Sequence, residues 1–348
     1  MTADSRPTLA LALGDAAGIG PELAAKALAD EEVRQAARFV VIGDKRLMEL
    51  GAEQAGVDLE ISEDWFLERD NLDPETVTIG EASELTGAAA LDNFGAALTL
   101  CHLGGADATC FTPFNKHAMR LARPEYVDEI GFIQAVLGTE AEGAEFNVLD
   151  ELWNARVTSH VPLSEVSSMI TQDRVLERIK LTDATMQGAG QGRPRIAVAA
   201  LNPHAGDGGN FGPEDDDIIA PAVREAQQRQ INVSGPWPSD TVYLRAHRGE
   251  FDVVLSMYHD QGQIAMKLIG FDRGVTLIGG YPFWIATPAH GTAYDIAGQG
   301  NANPQATKNA LLLAAKLARA SDVPLADDAA RRSAIKAMLD APAAHAPS

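Results

Sequence analysis

Three histidines in this chain each follow a short apolar run of the kind that makes a buried strand. His160 comes after Trp153 to Thr158, His204 after Arg195 to Ala200, and His259 after Phe251 to Met257. In an α/β sheet, side chains at the carboxyl ends of strands face the crevice where ligands bind. Three such ends on one sheet edge can bring three imidazoles to a point, which is how a three-histidine metal site is built. Imidazole donors suit zinc, cobalt, nickel or manganese better than calcium. The other reading is three unrelated loop histidines, and spacing leaves both open because no two of them share a motif. Asp260 follows His259 directly, so it can orient that ring or act as a base.

A second chemistry-bearing stretch runs from His290 to Pro304 and leads into a helical pattern from Gln305 to Ser321. Backbone that must approach a flat or phosphorylated ligand needs residues without Cβ, and a helix start offers free N–H groups. This glycine-spaced loop is therefore a candidate adenosine and phosphate site. Near the start, a strand from Pro7 to Leu13 runs into Gly14-Asp15-Ala16-Ala17-Gly18-Ile19-Gly20, and a helix follows Pro21, a residue favoured in a first helical turn. Strand, glycine turn and helix is the layout of a ligand-approaching loop, although GxGxxG spacing is absent. Lys116 follows a short strand, Ala108 to Phe111, where it can meet a substrate carboxylate or a nicotinamide, or simply be solvated.

These segments need a frame, and the chain supplies one by alternating buried strands with helical patterns, an α/β arrangement. A helix is expected over Ala88 to Cys101, a strand over Arg38 to Ile42, and a hairpin from Phe146–Asp150 and Trp153–Thr158. The 348 residues suffice for two interlocked α/β lobes, with no linker long enough to separate independent domains. A formal charge of −21, from 49 acids against 28 lysines and arginines, repels nucleic acid and anionic lipid, so neither is an expected partner. No run approaches roughly eighteen apolar residues and no signal pattern opens the chain. With only Cys101 and Cys110, too few for a disulfide framework, the expectation is a cytoplasmic protein with a small-molecule substrate and no membrane partner.

Several segments, taken in order, resemble the motifs of the 4-hydroxythreonine-4-phosphate dehydrogenase family over essentially the whole chain. They are Gly14 to Glu22, with Ala16 where proline is usual, Ser159-His160-Val161-Pro162, Leu201 to Gly209 (LNPHAGDGG), Met257 to Gly262 (MYHDQG) and His290 to Gly298 (HGTAYDIAG). The resemblance implies a two-lobed α/β/α fold similar to isopropylmalate dehydrogenase, with the active site in the interdomain cleft. It implies a nucleotide-binding lobe of about residues 1–135 plus 290–340 and a dimerisation and metal lobe of about 136–289. It also implies a homodimer with shared active sites, and His160, His204 and His259 as ligands of a divalent metal, zinc ahead of cobalt, nickel or manganese. Gly14, Asp15, Gly18, His290, Gly291, Thr292, Ala293 and Asn303 would line the cofactor. Asp295 stands where NAD-using members of the superfamily hold the ribose hydroxyls with an acid, and a carboxylate there repels the 2′-phosphate of NADP. Asp240 and Asp260 are then the alternatives for the base that takes the substrate's hydroxyl proton, and Lys267 holds a substrate anion.

The chain departs from that family at its phosphate cradle. Glu129 and Ile130 stand where the family's His-Thr pair binds phosphate, and Thr276 and Ile285 align with its asparagine and arginine, leaving Lys267. A phosphate facing a carboxylate is repelled on the order of several kcal/mol once desolvated. The expectation is therefore an NAD-linked, metal-dependent oxidation of a non-phosphorylated vicinal diol or hydroxy acid, best represented by a cis-dihydrodiol of an aromatic carboxylate and accompanied by decarboxylation. This resembles the terephthalate dihydrodiol dehydrogenase branch. The alternative is 4-hydroxythreonine-4-phosphate, or 4-phospho-threonate or -erythronate, with a phosphate site rebuilt from Lys116, His117, Arg120 and Arg123.

Overall fold

The computed structural model describes residues 6–60, 62, 65–150, 152–321 and 323–340. Its strands, in chain order, are β1 (Thr8–Ala12), β2 (Arg38–Gly43), β3 (Phe66–Glu68), β4 (Ala108–Phe111), β5 (Ala144–Leu149), β6 (Leu152–Arg156), β7 (Ile196–Ala199), β8 (Val233–Trp237), β9 (Val253–Ser256), β10 (Val275–Gly279) and β11 (Trp284–Pro288). With the helices between them they make a mixed α/β fold. The chain divides into two compact units, one running to Gly143 and resuming at Tyr281, the other spanning Ala144–Gly280.

In the first unit the strands lie in the order β3-β2-β1-β4-β11, every neighbour parallel. A parallel strand covered on both faces reads as an unbroken apolar run. β1 is such a strand, TLALA with all five residues buried. The helix Glu84–His102 packs on β1 and the helix Gln305–Ala320 on β11. Ser83 and Thr86 close the start of the former with a reciprocal capping box. Phe94 anchors this layer, 4.8 Å from the Phe111 ring and 5.5 Å from Phe132, and Phe111 stacks on Phe114 at 4.2 Å. That aromatic cluster ties the end of β4 to the helix Glu129–Leu137, and so fixes the segments that carry Lys116 and Glu129.

The second unit has the order β10-β5-β6-β9-β7-β8. The expected hairpin is present: β5 and β6 pair antiparallel with Asn147 opposite Asn154. From β6 onward the pairing is parallel through β9 and β7 to β8, with Arg156 beside Ser256. β6 and β9 therefore end level, and the residues that follow them emerge on one edge. The residues after β9 open a helix, His259–Gly270, with Tyr258 at its N-cap position. Gln261 sets this start, accepting from Met257 N at 2.7 Å and donating to the Ala200 carbonyl at 2.8 Å. No helix among the described residues is long and apolar enough to cross a membrane.

Candidate active site

The level ends of β6 and β9 bring two of the three histidines together. The His160 and His259 ring centroids are 5.6 Å apart. His259 Nδ1 lies 2.7 Å from Asp260 Oδ1. A carboxylate on one ring nitrogen fixes the tautomer and leaves the other nitrogen for a metal, the usual outer-shell arrangement of a metal-binding histidine. His204 sits apart in the turn Pro203–Gly206 after β7, with its ring 6.1 Å from Phe211. That turn is unusual: His204, Ala205 and Asp207 all have φ between 47° and 55°, a region that L-residues occupy only when the surroundings enforce it. Fully buried Asp215 holds the entry to this turn, accepting from Leu201 N at 2.8 Å and Asn202 N at 3.0 Å. Among the described residues no three histidine, cysteine or acid side chains of one chain are grouped to hold a metal. The two imidazoles of His160 and His259, the latter backed by Asp260, nonetheless fit one side of a divalent-metal site. Asp240 is exposed in the first turn of the helix Ser239–His247, and Lys267 is exposed with its ammonium 5.8 Å from the Phe271 ring. Thr276 on β10 lies at the edge of hydrogen-bonding distance from Asn147, at 3.5 Å.

Sequence reasoning missed the polar column beneath the His259–Gly270 helix. Tyr243 donates to Asn154 Oδ1 at 2.6 Å, and Gln263 donates to Asn147 Oδ1 at 2.8 Å. Burial pushes the Tyr243 phenol well above its usual range. Gly262 lies directly over this column: a Cβ there would stand 2.4 Å from Asn154 Oδ1. The signal in the sequence is asparagine at inward positions of otherwise apolar strands.

In the first unit the two glycine loops meet. Ile19 N donates to the Thr292 carbonyl at 3.0 Å, and a Cβ on Gly18 would lie 2.7 Å from Thr292 Cβ. A Cβ on Gly14 would reach within 2.3 Å of the Thr112 carbonyl oxygen, whereas Gly291 faces open space. Ala293 adopts φ 44°, and His290 Nδ1 lies 3.1 Å from the Gly291 carbonyl. Asp295 and Asn303 are exposed, with Asn303 Oδ1 accepting from Gln305 N at 3.0 Å. An open glycine beside an exposed acid and an amide fits the ribose and base of a nucleotide. Asp15 is different from the expectation. It is 1% exposed, its Oδ1 accepts from Ala17 N at 3.0 Å, and its Oδ2 accepts from the Tyr294 hydroxyl, so both oxygens serve the fold.

Burial raises the Asp15 pKa above the ordinary 3.8, against the lowering effect of the Tyr294 and Ala17 hydrogen bonds. A carboxyl with a raised folded pKa binds more protons folded than unfolded in the interval between its two pKa values. Stability therefore falls as pH rises through that interval and levels off above it. Asp15→Asn keeps an acceptor for Tyr294 and removes the titration. Denaturant unfolding at steps between about pH 4 and about pH 7 is expected to show the wild-type protein losing stability relative to the variant over that range. A constant difference between the two proteins would show that Asp15 does not titrate there.

Lys116 begins the helix Lys116–Ala122, capped by Asn115, whose Oδ1 accepts from His117 N and Ala118 N. Its ammonium lies 2.8 Å from Glu129 Oε2. That oxygen is buried and makes no properly directed hydrogen bond, so the contact is held by charge rather than by alignment. Asp128 caps the Glu129–Leu137 helix through Gly131 N at 2.9 Å, which places the Glu129 carboxylate at the favourable positive end. Ile130 is half-buried with its carbonyl 3.5 Å from the Tyr281 hydroxyl. Ile285 is 0% exposed in β11, opposite Thr109, and offers no surface to a ligand. Arg123 is paired with Glu125 at 2.6 Å, while His117 and Arg120 are exposed.

Comparison with known proteins adds the family. The model of a family described as pyridoxal phosphate biosynthetic protein PdxA matches residues 35–314. A Rhizobium meliloti (strain 1021) protein named "Putative 4-hydroxythreonine-4-phosphate dehydrogenase 2" is 52% identical over 331 residues, 91% of this chain and 95% of its own. The D-threonate 4-phosphate dehydrogenase of Cupriavidus necator (strain H16) is 35% identical over 328 residues, 90% of this chain and 98% of its own. Among solved structures, the Klebsiella pneumoniae 4-hydroxythreonine-4-phosphate dehydrogenase has a TM-score of 0.80 at 32% identity, covering 92% of this chain and all of that one. The terephthalate 1,2-cis-dihydrodiol dehydrogenase of Burkholderia xenovorans LB400 has 0.60 at 29%, over 86% of this chain and 95% of that one. The expected place in the terephthalate branch is thus not borne out, since that likeness is the weaker one. Decarboxylation, expected along with it, draws no support from relatives named only as dehydrogenases.

Proposed function

The chain belongs to the PdxA family of 4-hydroxythreonine-4-phosphate dehydrogenases and is an oxidoreductase acting on a CH–OH donor, and from that premise we propose that it oxidises a 4-phosphorylated hydroxy acid of the hydroxythreonine or threonate class with NAD and a divalent metal. What carries this reading is a likeness that runs through nine-tenths or more of both chains to relatives named for such substrates.

In this reading His160 and His259 hold the metal, with His204 as a further ligand in an assembled homodimer, and Asp260 keeps the His259 ring in its ligating tautomer. A bound divalent cation lowers the pKa of a substrate hydroxyl, and NAD supplies the hydride acceptor. Asp260 is engaged by His259, so the proton goes to Asp240, which is exposed. Lys267 holds a substrate anion. Lys116 and Arg120, one helical turn apart on the same face, are the cations offered to the phosphate, whereas Arg123 is tied to Glu125. Homodimerisation is supported by an exposed apolar stripe along the helix of His259 and the turn that follows it. Ile264, Leu268 and Phe271 are 61%, 83% and 53% exposed beside Asp260 and Lys267. Sedimentation showing a monomer at assay concentration would remove the dimer.

The test is NADH absorbance across a panel of 4-phosphorylated and unphosphorylated hydroxy acids and dihydrodiols, each with and without chelator. The phosphorylated acids are expected to be turned over, with turnover lost on chelation and restored by zinc, cobalt, nickel or manganese. Turnover of the unphosphorylated compounds alone would overturn the phosphate reading and favour the second one, oxidation of a non-phosphorylated diol. One observation favours that second reading: Glu129 already neutralises Lys116.

A further inference from the structure

The helix Gly20–Ala29 carries an ion pair that belongs to no active-site role described above. Glu22, in its first turn, is 0% exposed, and Lys26, one turn later, has a side chain 17% exposed. A lysine ammonium has three donors, and all three here are directed. Lys26 Nζ lies 2.7 Å from Glu22 Oε1, 2.8 Å from the Gly300 carbonyl and 2.8 Å from the Ala302 carbonyl. Glu22 Oε1 in turn accepts from Ala302 N at 2.8 Å. The pair thus grips the loop through both its N–H and its C=O groups. A hydrophobic pair of similar size would pack there but would leave those three backbone groups without partners, the arrangement buried backbone avoids.

The same loop is pinned elsewhere. Ile19 N donates to the Thr292 carbonyl at 3.0 Å, Tyr294 donates to Asp15, and Ala302 packs with Ile19, Leu23 and Ala297. Gly300, at φ 70°, has so little room that a Cβ would lie 2.5 Å from the Gln54 carbonyl oxygen. Between these pins the loop presents Asp295 and Asn303 outward. Ordering a flexible loop on binding draws down affinity, and a loop already ordered does not.

We propose that Glu22 and Lys26 are positioning residues for the adenosine half of the cofactor, holding segment 292–303 in its binding shape before the nucleotide arrives. The inference rests on the reading of that segment as the NAD site. Neither residue touches the cofactor or the reacting atoms. Loss of the pair therefore weakens nucleotide binding and leaves the chemical step alone.

The experiment uses the full-length enzyme, with NAD in steady-state assays and ADP-ribose in calorimetry. Glu22→Gln/Lys26→Gln removes both charges while keeping a donor and an acceptor, and Lys26→Arg keeps the cation. The double variant is expected to raise KM for NAD and Kd for ADP-ribose by about tenfold, with kcat within about twofold of wild type, and Lys26→Arg to fall between. An unchanged KM for NAD in a folded double variant, or a fall in kcat at constant KM, overturns the proposal. If the double variant does not fold, Lys26→Arg decides alone by the same measure. Wild-type enzyme that binds no ADP-ribose overturns the nucleotide reading of the segment and the proposal with it. Wild-type binding matched by the variants overturns the proposal only.

Discussion

Substitution of His259 by alanine is expected to reduce kcat/KM by about a hundredfold or more while the protein remains folded, the scale on which positioned catalytic groups act. The fold is insensitive because the His259 side chain is 36% exposed at the first position of its helix, and the helix is anchored further along by Gly262 and Met266. Activity is sensitive because this ring, 5.6 Å from His160 and oriented by Asp260, is one of the two imidazoles that the strand ends bring together. Asp260→Asn should fall between the two. It keeps one oxygen for the imidazole but loses the charge, a change that typically costs ten- to a hundredfold in metal affinity or activity. The order wild type, then Asp260→Asn, then His259→Ala should appear both in turnover and in bound metal measured by elemental analysis. Full turnover by His259→Ala would sink the metal reading.

What could be read directly from the residues was the part governed by local pattern. β1, β4 and β9 are runs of buried apolar residues, and periodicity finds such runs wherever they occur. The glycine loops were legible for a similar reason, since Gly14 and Gly18 sit where a Cβ would strike backbone or a neighbouring loop. The start of the His259–Gly270 helix was not, because Gly262 in a polar setting resembles a turn. The glycine itself is required by Asn154, more than a hundred positions earlier, which fills the space a side chain would need. Asp15 was assigned to a ligand on its position in a loop, and nothing local announces that Tyr294, 279 residues later, claims one of its oxygens. Ile285 illustrates the opposite error. Alignment with an arginine suggested a site position, yet a strand residue opposite Thr109 with no exposed surface belongs to the core. At the phosphate cradle, the replacement by Glu129 says which partner is gone, but not what Lys116 and Arg120 can do in its stead.

Glu129→Gln should therefore shift the preference between substrates rather than abolish activity. In the wild-type protein the Lys116 ammonium is 2.8 Å from the carboxylate of Glu129, whose side chain is 11% exposed and at the start of a helix, so any anion arriving at Lys116 must compete with an internal one. Glutamine has nearly the same shape, remains compatible with the Asp128 cap, and removes the competing charge. With the Lys116 side chain 38% exposed, such an ion pair contributes up to about 1 kcal/mol, which corresponds to roughly fivefold in an equilibrium constant. The ratio of kcat/KM for a 4-phosphorylated hydroxy acid to that for its unphosphorylated counterpart is expected to rise by about that factor, chiefly through a lower KM. Inorganic phosphate should inhibit the variant more strongly than wild type, and added salt should narrow the difference because the effect is one of charge. If the ratio stays where it is, and phosphate inhibits both proteins alike, Lys116 does not meet the substrate anion and its pair with Glu129 serves only to join two helices.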